Sequence, residues 1–551
     1  MNASGPEKEE TGAPRRLLPI SMPVLFILLA LLAYSSIISS YFLSDDFAQI
    51  GRVLEGDWSL SWGREHGGFF RPIFILSYIL DSRLWGENPF GYHLTNILLH
   101  GLNSYLVYRL TLRLVSPQKL SPNWARSCSL AAGLLFLLHP SHTEAVSWIS
   151  GRADLLAALF CLTAMLAFIA YVEKRGSLSP LLLSLPAFAL ALLSKESALS
   201  LPLVLLALGF YFAPAAEGKA AHGRVLKAVA LFFPVLFLFV LMRRSALGAW
   251  LGGYGAAQHL NFSPGWLRDR FLQASLRALM PAFPQELSTH LLKPLKSPAF
   301  ILCAIAALSL IILIVRRRRR SSGPSMRGEQ NRLLLLLATI FILSLLPVTN
   351  LRLSLFDTQG ERFIYWPSVF TAILVPYLAL ILLRSGRRWL IMMLVMLLFH
   401  SISLYRMNGT WKEAAELSRS IKEELVRATP TGKSPLVINA PDNLRGVPVY
   451  HNGLEEALRV FQKTGRVERA RLIALHGLGS HADEMELKRE ADLFSLRLLN
   501  PRQVFTKVAR GHDCVEIIEG SDHALRFRLN NCPADAELFL FNRGRIYRVV
   551  Q

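Results

Sequence analysis

The sequence predicts an α-helical polytopic membrane protein of about eleven transmembrane helices, followed by a small soluble C-terminal α/β domain. Three observations carry that prediction. Apolar runs near or above the ~20 residues that an α-helix needs to cross a hydrocarbon core recur along the first 407 residues. Hydrophobic residues make up 52% of the 551-residue chain and charged residues only 18%, a balance foreign to a soluble chain of this length. After Met407 the runs stop, and charges of both signs alternate with short strand-like segments.

Residues 1–16 are polar and read as a short cytoplasmic segment. The first run, 17–43, is too long for a removable signal peptide and lacks a small-residue cleavage site, so it reads as a retained anchor. Further spans are expected near 92–114, 127–145, 152–172, 179–194, 197–213, 227–245, 297–315, 333–349, 363–384 and 388–406. The transmembrane region is therefore bounded at 17–407, with a large first external loop at 43–91 and another at 247–296. Two segments interleave charge with apolar residues at helical spacing: 69–85, with Arg71, Asp81 and Arg83, and 267–284, with Arg268, Asp269, Arg270 and Arg277. Both are expected to lie on the external interface rather than to span.

Lys and Arg in short connections are held on the cytoplasmic side. They cluster at Arg15 and Arg16, at Arg109, Arg113, Lys119 and Arg126, at Lys174 and Arg175, and at Lys219, Arg224 and Lys227. Arg316 to Arg320 and then Arg384, Arg387 and Arg388 complete an alternating set. This places the N-terminus in the cytoplasm and the C-terminal part outside, in the periplasm of a bacterial inner membrane or an equivalent lumen. The excess of 60 Lys plus Arg over 39 Asp plus Glu thus sets topology. Nucleic acid is excluded as a partner, because a soluble nucleic-acid binder would not carry repeated apolar runs.

The C-terminal domain, 408–551, is expected to begin with a helix at 411–426, with a strand at 436–439 and a helix near 452–464. Strands are expected at 502–508, 513–519, 523–529 and 536–550, the last folding as a hairpin around Asn542-Arg543-Gly544. Cys514 and Cys532 both fall here, and a disulfide between them is expected in an oxidising compartment.

Once the topology is drawn, ionisable residues gather on the external side. Asp45 and Asp46 end the first span, His139-Pro-Ser-His142-Thr-Glu144 tops the third, and Arg152 and Asp154 open the fourth. Ser194-Lys195-Glu196 joins the fifth to the sixth, and Glu361 and Arg362 open the tenth. Each such group costs roughly 2.5–3.5 kcal/mol near a bilayer core, so several converging from separate helices imply a shared cavity. His93, Asn96, His100 and Asn103 share one face of the second span, where they either line that cavity or hydrogen-bond neighbouring helices.

An external carboxylate with Arg and Lys nearby suits sugar transfer from a lipid phosphate. The carboxylate, Asp45 or Asp46, would act as general base on an acceptor hydroxyl, while Arg362, Lys195 and Arg152 stabilise the leaving phosphate. The plainer alternative pairs these ions for structure, Arg152 with Asp154 or Glu144 and Lys195 with Glu196. The histidine spacing is not the His-Glu-x-x-His zinc pattern, but two carboxylates leave a divalent cation at the acid pair open.

Four pieces of the chain resemble the GT-C superfamily of integral-membrane glycosyltransferases, particularly the O-mannosyltransferase-like group whose eukaryotic members carry tetratricopeptide repeats. They are Ser44-Asp-Asp-Phe47; Phe70-Arg-Pro72 with Gly91-Tyr-His-Leu-Thr-Asn-Ile-Leu-Leu-His100; His139-Pro-Ser-His-Thr-Glu-Ala-Val146 with Gly151-Arg-Ala-Asp154; and Ser194-Lys-Glu196 with Glu361-Arg-Phe-Ile-Tyr-Trp-Pro-Ser368. In order they cover about residues 20–405. The resemblance implies an inverting transfer from a polyprenyl-phosphate sugar, with Asp45 as base, Asp46 its neighbour and Arg362 near the donor phosphate. His93, His142, Glu144, Asp154, Glu196 and Glu361 are further cavity candidates. The C-terminal domain departs from the repeat-bearing relatives, since it shows no 34-residue self-similarity. A transporter or flippase of a lipid-linked saccharide is the competing reading, but transporters place polar groups at the midplane and show internal repeats. A scaffold that merely presents the C-terminal domain leaves the acid pair unexplained.

Overall fold

The structure, a computed structural model, describes residues 21–57, 68–118, 120–214, 217–250, 253, 263–279, 324–351, 353–354, 357–383, 385–462, 467, 469–480, 483–500, 503–508, 514–530 and 532–549. Every expected apolar run that falls on these residues contains a helix. In chain order the helices are α1 (Met22–Ala33), α2 (Asp45–Leu54), α3 (Pro72–Trp85), α4 (Pro89–Val115), α5 (Pro122–Leu137), α6 (Thr143–Val146), α7 (Arg152–Glu173), α8 (Leu178–Ser194) and α9 (Leu201–Phe212). There follow α10 (Gly218–Ala230), α11 (Phe232–Leu247), α12 (Pro264–Leu279), α13 (Pro324–Leu345), α14 (Ser368–Leu383), α15 (Gly386–Ala428) and α16 (Leu454–Arg459). The run at 297–315, the arginines at 316–320, the segment 1–16 and most of the loop 247–296 lie outside the described residues.

Among the described residues, four helical stretches are long and apolar enough to cross a membrane: Ile149–Glu173, Gly218–Leu247, Gly328–Val348 and Gly386–Ala428. Shorter apolar helices stand beside them at Met22–Ala33, Leu178–Ser194, Glu196–Phe212 and Ser368–Leu383. Proline at N1 opens α4 and α5, where its missing N–H costs nothing. Asn88 and Ser121 cap these two helices, accepting from the backbone N–H of Phe90 and Trp124 at 3.1 and 3.4 Å. Leu390, Leu394, Val395, Leu398 and Ile402 of α15 are exposed, as suits side chains that meet lipid rather than water.

The basic clusters meet at one end of the bundle. Arg113 pairs with Glu173 at 2.7 Å, and Glu217 takes both Arg175 and Arg224. Gln118 bonds Tyr211 and Tyr377, and Trp124 packs edge-on against Trp389. The acid-bearing loops lie at the other ends of the same helices.

Neither amphipathic segment simply rests on a surface. α3 turns Leu76, Leu80 and Leu84 outward and buries Asp81 against α7. α12 buries Arg277, which pairs with Glu361 at 2.6 Å.

The last expected span and the expected helix at 411–426 are one element, the 43-residue α15. The change of composition at Met407 therefore falls inside a helix. Beyond it, ten strands follow: β1 (Ser434–Leu444), β2 (Val447–Pro448), β3 (Arg471–Leu478), β4 (Met485–Glu490), β5 (Leu493–Leu498), β6 (Phe505–Val508), β7 (Val515–Gly520), β8 (Ala524–Leu529), β9 (Ala536–Asn542) and β10 (Arg545–Arg548). One sheet has the order β10-β9-β1-β3-β6, with β1 parallel to both β9 and β3 and β2 paired to its end. The second sheet is antiparallel, β4-β5-β8-β7. The hairpin around Asn542-Arg543-Gly544 forms as expected, with Arg543 and Gly544 both at positive φ.

The expected disulfide is not formed. Cys514 and Cys532 are free thiols, and the Cys532 thiol instead donates to the Cys514 carbonyl oxygen at 3.2 Å.

Candidate active site

The acid pair opens α2, where charge at a helix N-terminus meets the unpaired N–H groups of the first turn. Its two members face different partners. Asp46 is buried and saturated: Oδ2 accepts the Leu43 N–H at 3.0 Å, and Oδ1 accepts the Ser150 N–H at 2.9 Å and its hydroxyl at 2.5 Å. Burial pushes the Asp46 carboxyl up to about 7, against the pull of those hydrogen bonds. Asp45 is half-buried; its Oδ1 accepts the side-chain amide of Asn452 at 2.7 Å. Among the described residues no donor meets its Oδ2. The preceding Ser44 sits at φ +48°, a region few residues other than glycine adopt.

The segment after α6 holds this loop to the rest of the site. The Trp148 indole N–H donates to the Leu43 carbonyl oxygen at 3.3 Å, and Ser150 supplies both donors to Asp46. The other side of Trp148 carries Arg362, whose guanidinium carbon lies 5.0 Å from a Trp148 ring centre. Asn96 fixes the segment from α4, donating toward the carbonyl oxygens of Val146, Trp148 and Ile149 at 3.1–3.3 Å. Acid loop and Arg362 are thus fastened to the same short stretch of chain.

The expected charges are paired, though seldom as the sequence implied. Arg362 pairs with Glu144, whose second oxygen accepts the Arg362 backbone N–H at 2.8 Å. Lys195 pairs with Asp154 at 2.5 Å, and Glu196 turns away to Arg71 at 2.9 Å. Glu361 pairs with Arg277. Arg152 meets neither Asp154 nor Glu144 but Asp81, at 2.6 Å. Its remaining N–H groups go to Asn96, to the Ser77 hydroxyl and carbonyl oxygen, and to the Tyr92 carbonyl oxygen. Four of its donors are thus hydrogen-bonded, and its charge meets Asp81 at zero exposure. In this structure Arg152 ties α7 to α3 and α4.

Arg362 and Lys195 remain together. Both stand against the ring of Phe363, at 4.9 and 5.3 Å from its centre, and the Arg362 side chain keeps 18% of its surface exposed. Beyond Phe363 a small apolar recess of about 20 Å³ lies between α12 and the end of α13, lined among others by Phe271, Ala274, Leu345, Val348 and Phe363.

The histidines serve the scaffold. His93 Nε2 lies 3.1 Å from the Ser40 carbonyl oxygen, and His100 bridges the Tyr365 hydroxyl and the Leu137 carbonyl oxygen at 2.8 and 3.0 Å. His142 Nε2 meets the Ser368 hydroxyl at 2.7 Å. Asn103 bonds the Leu155 carbonyl oxygen, so the polar face of α4 joins helices. Among the described residues no group of three His, Cys, Asp or Glu is arranged to hold a metal ion. The acid pair does not fit one either, since both oxygens of Asp46 accept protein N–H and O–H groups.

Sequence reasoning missed Asn452 and its neighbours His451 and Asp442, because nothing local marks a loop of the C-terminal part as facing residue 45. It also missed Trp148 and Ser150, although both lie inside the quoted motif region. Arg277, Asp81 and Arg71 had been noted as charges at interfaces; the sequence could not name their partners, which are 71 to 125 residues away.

No protein-family model matches the chain. Among solved structures, ArnT from Cupriavidus metallidurans in the apo state aligns with a TM-score of 0.44 at 12% identity, over 79% of this chain and 84% of that one. The same protein bound to undecaprenyl phosphate gives 0.43 at 11% identity, over 93% and 98%. The Drosophila melanogaster protein O-mannosyl-transferase Tmtc1 is 39% identical over 133 residues, covering 24% of this chain and 14% of that protein. TMTC2 of Mus musculus is 40% identical over 107 residues, 19% of this chain and 12% of the relative. TMTC1 of Homo sapiens is 34% identical over 166 residues, 28% and 18%. This chain thus spans less than a fifth of the length of these relatives. Over about a quarter of its own length it is similar to the protein O-mannosyl-transferases, the group that its motifs resemble.

Proposed function

We propose that this chain is a membrane glycosyltransferase that moves a sugar from a polyprenyl-phosphate donor to an acceptor hydroxyl on the external face of the membrane, with Asp45 as general base. The observation that carries the reading is the shared anchorage of acid loop and Arg362 on the segment around Trp148. It sets a carboxylate with one uncommitted oxygen and a partly exposed guanidinium on two sides of one small region. Lys195 stands with Arg362 against the ring of Phe363.

In this reading the acceptor O–H gives its proton to Asp45 Oδ2 as its oxygen bonds the anomeric carbon. The bond from that carbon to the phosphate oxygen breaks on the opposite face, inverting the centre, and the electron pair leaves with the phosphate. Arg362 and Lys195 stabilise the charge that develops there. Asp46, saturated by Leu43 and Ser150, holds Asp45 in place. The fold boundaries proposed with it are a transmembrane region at 17–407 and an external region at 408–551, in a bacterial inner membrane.

The test is sugar release from polyprenyl-phosphate mannose and related donors by the purified full-length protein. Asp45→Asn is expected to lower turnover by about 10²–10⁴-fold, the usual worth of a positioned base. Arg362→Ala is expected to lose the lipid phosphate that co-purifies with the wild type. Wild-type turnover in Asp45→Asn, with the fold intact, removes the base assignment.

A further inference from the structure

The C-terminal part does more than sit beside the acid loop: it is built into it. The loop from Val449 to Gly453 lies directly on Ser44 to Phe47. The Ser44 N–H donates to the Val449 carbonyl oxygen at 2.9 Å, and the Asn452 N–H reaches the Ser44 hydroxyl at 3.3 Å. Tyr450 stacks on Phe47 with ring centres 5.8 Å apart. Gly453, at φ +83°, comes so close that an added Cβ would stand 2.6 Å from the Ser44 carbonyl oxygen. The positive φ of Ser44, a conformation that surrounding structure must impose, is held by these contacts.

Two side chains of the loop address Asp45 itself. The Asn452 amide donates to Oδ1 at 2.7 Å, which orients the carboxylate and leaves Oδ2 toward solvent. His451 is fixed through Nδ1 by the buried carboxylate of Asp442 at 2.6 Å, while its side chain stays 58% exposed. A histidine held at Nδ1 presents Nε2 in a defined direction. It lies within reach of the Asp45 charge, and the Asp442 carboxylate keeps the imidazole more basic than usual.

We propose that the loop 449–453 is the acceptor-side wall of the transfer site: Asn452 is the positioning residue for Asp45, and His451, held by Asp442, hydrogen-bonds the incoming acceptor hydroxyl through Nε2. The proposal rests on the glycosyltransferase reading and deepens it, because it assigns the acceptor side to a part of the chain that the similar O-mannosyl-transferases need not share. The acceptor then meets Asp45 from the C-terminal side, while the donor phosphate meets Arg362 from the membrane side.

The experiment uses the full chain in lipid nanodiscs with radiolabelled polyprenyl-phosphate mannose, and compares Asn452→Ala, Asn452→Gln, His451→Ala and Asp442→Asn. Each is read twice, as turnover and as binding of undecaprenyl phosphate, which needs no acceptor. Asn452→Ala and His451→Ala are expected to lower turnover on the order of 10- to 100-fold, the effect of misplacing a catalytic group by about 1 Å. Binding is expected to be unchanged, with partial recovery in Asn452→Gln. Loss of binding together with turnover would show a merely structural loop and overturn the proposal, as would wild-type turnover in both alanine variants. If the wild type neither binds the lipid phosphate nor releases sugar, the reading of the whole site falls instead.

Discussion

Asp45 and Asp46 are neighbours of one residue type with opposite fates, and the difference lies in who donates to them. Asp46 receives three hydrogen bonds from Leu43 and Ser150 and is sealed from solvent; Asp45 receives one, from Asn452. Truncating Asp46 to alanine leaves the buried Leu43 N–H without an acceptor, at about 1–3 kcal/mol, and also frees the half-buried Ser150 N–H. Asp46→Ala is therefore expected to lose much of the exchange protection of those two amides. Its titration has a definite sign. The carboxyl ordinarily titrates near 3.8 and is raised to about 7 in the fold, so between those values the folded chain holds more protons than the unfolded one. Stability from this group is full below about pH 4 and falls as pH rises toward 7. Amide exchange at Ser150 should show that fall in the wild type and lose it in Asp46→Asn; an unchanged slope in the variant would assign the effect to another group.

At the scale of elements, the helices were legible in the sequence because each apolar run has a length and a boundary. Their partners were not, because an ion pair such as Arg152 with Asp81 joins positions that no local pattern connects. In the C-terminal part the later strands β6 to β10 were foreseen from their β-branched and aromatic residues. Strands β3 to β5 were not: Arg471-Leu-Ile-Ala-Leu-His-Gly-Leu478 and Met485-Glu-Leu-Lys-Arg-Glu490 are rich in good helix formers, and only sheet pairing makes strands of them. Of the candidate site, the acid pair, Arg362 and Lys195 were legible as residues, whereas the role of Arg152 as a buried clamp appears only in three dimensions. The long helix α15 offers a test of its own. Gly409 lies in its interior with open space at its Cβ position. Gly409→Ala should stabilise the chain by about 0.5–1 kcal/mol, seen as a raised melting temperature. A loss of stability would mean that α15 needs a flexible point where membrane and aqueous halves meet.

For the whole molecule, polarity is segregated along the bundle axis: basic clusters at one end, acid-bearing loops and the C-terminal part at the other. In the proposed orientation the basic end faces the cytoplasm. In intact cells, an impermeant thiol reagent is expected to label Ser521→Cys and to spare Lys174→Cys, in a background lacking the half-buried Cys532 thiol. The reverse pattern would turn the topology over. A single helix joins the two ends: α15 has 43 residues, about 65 Å at 1.5 Å per residue. Its outer half carries Ser418, whose hydroxyl donates to the Phe42 carbonyl oxygen at 3.0 Å and whose own carbonyl oxygen accepts the Tyr450 hydroxyl at 2.6 Å. The mast thus sets the height of the C-terminal loop against the first external loop.

The hydrogen bond between Asn452 and Asp45 spans 407 positions of sequence. Chains fold largely as they emerge, and the residues that fasten the acid loop, Trp148 and Ser150, leave the ribosome long before Asn452. The amide that meets Asp45 therefore closes onto a loop whose anchors are already synthesised.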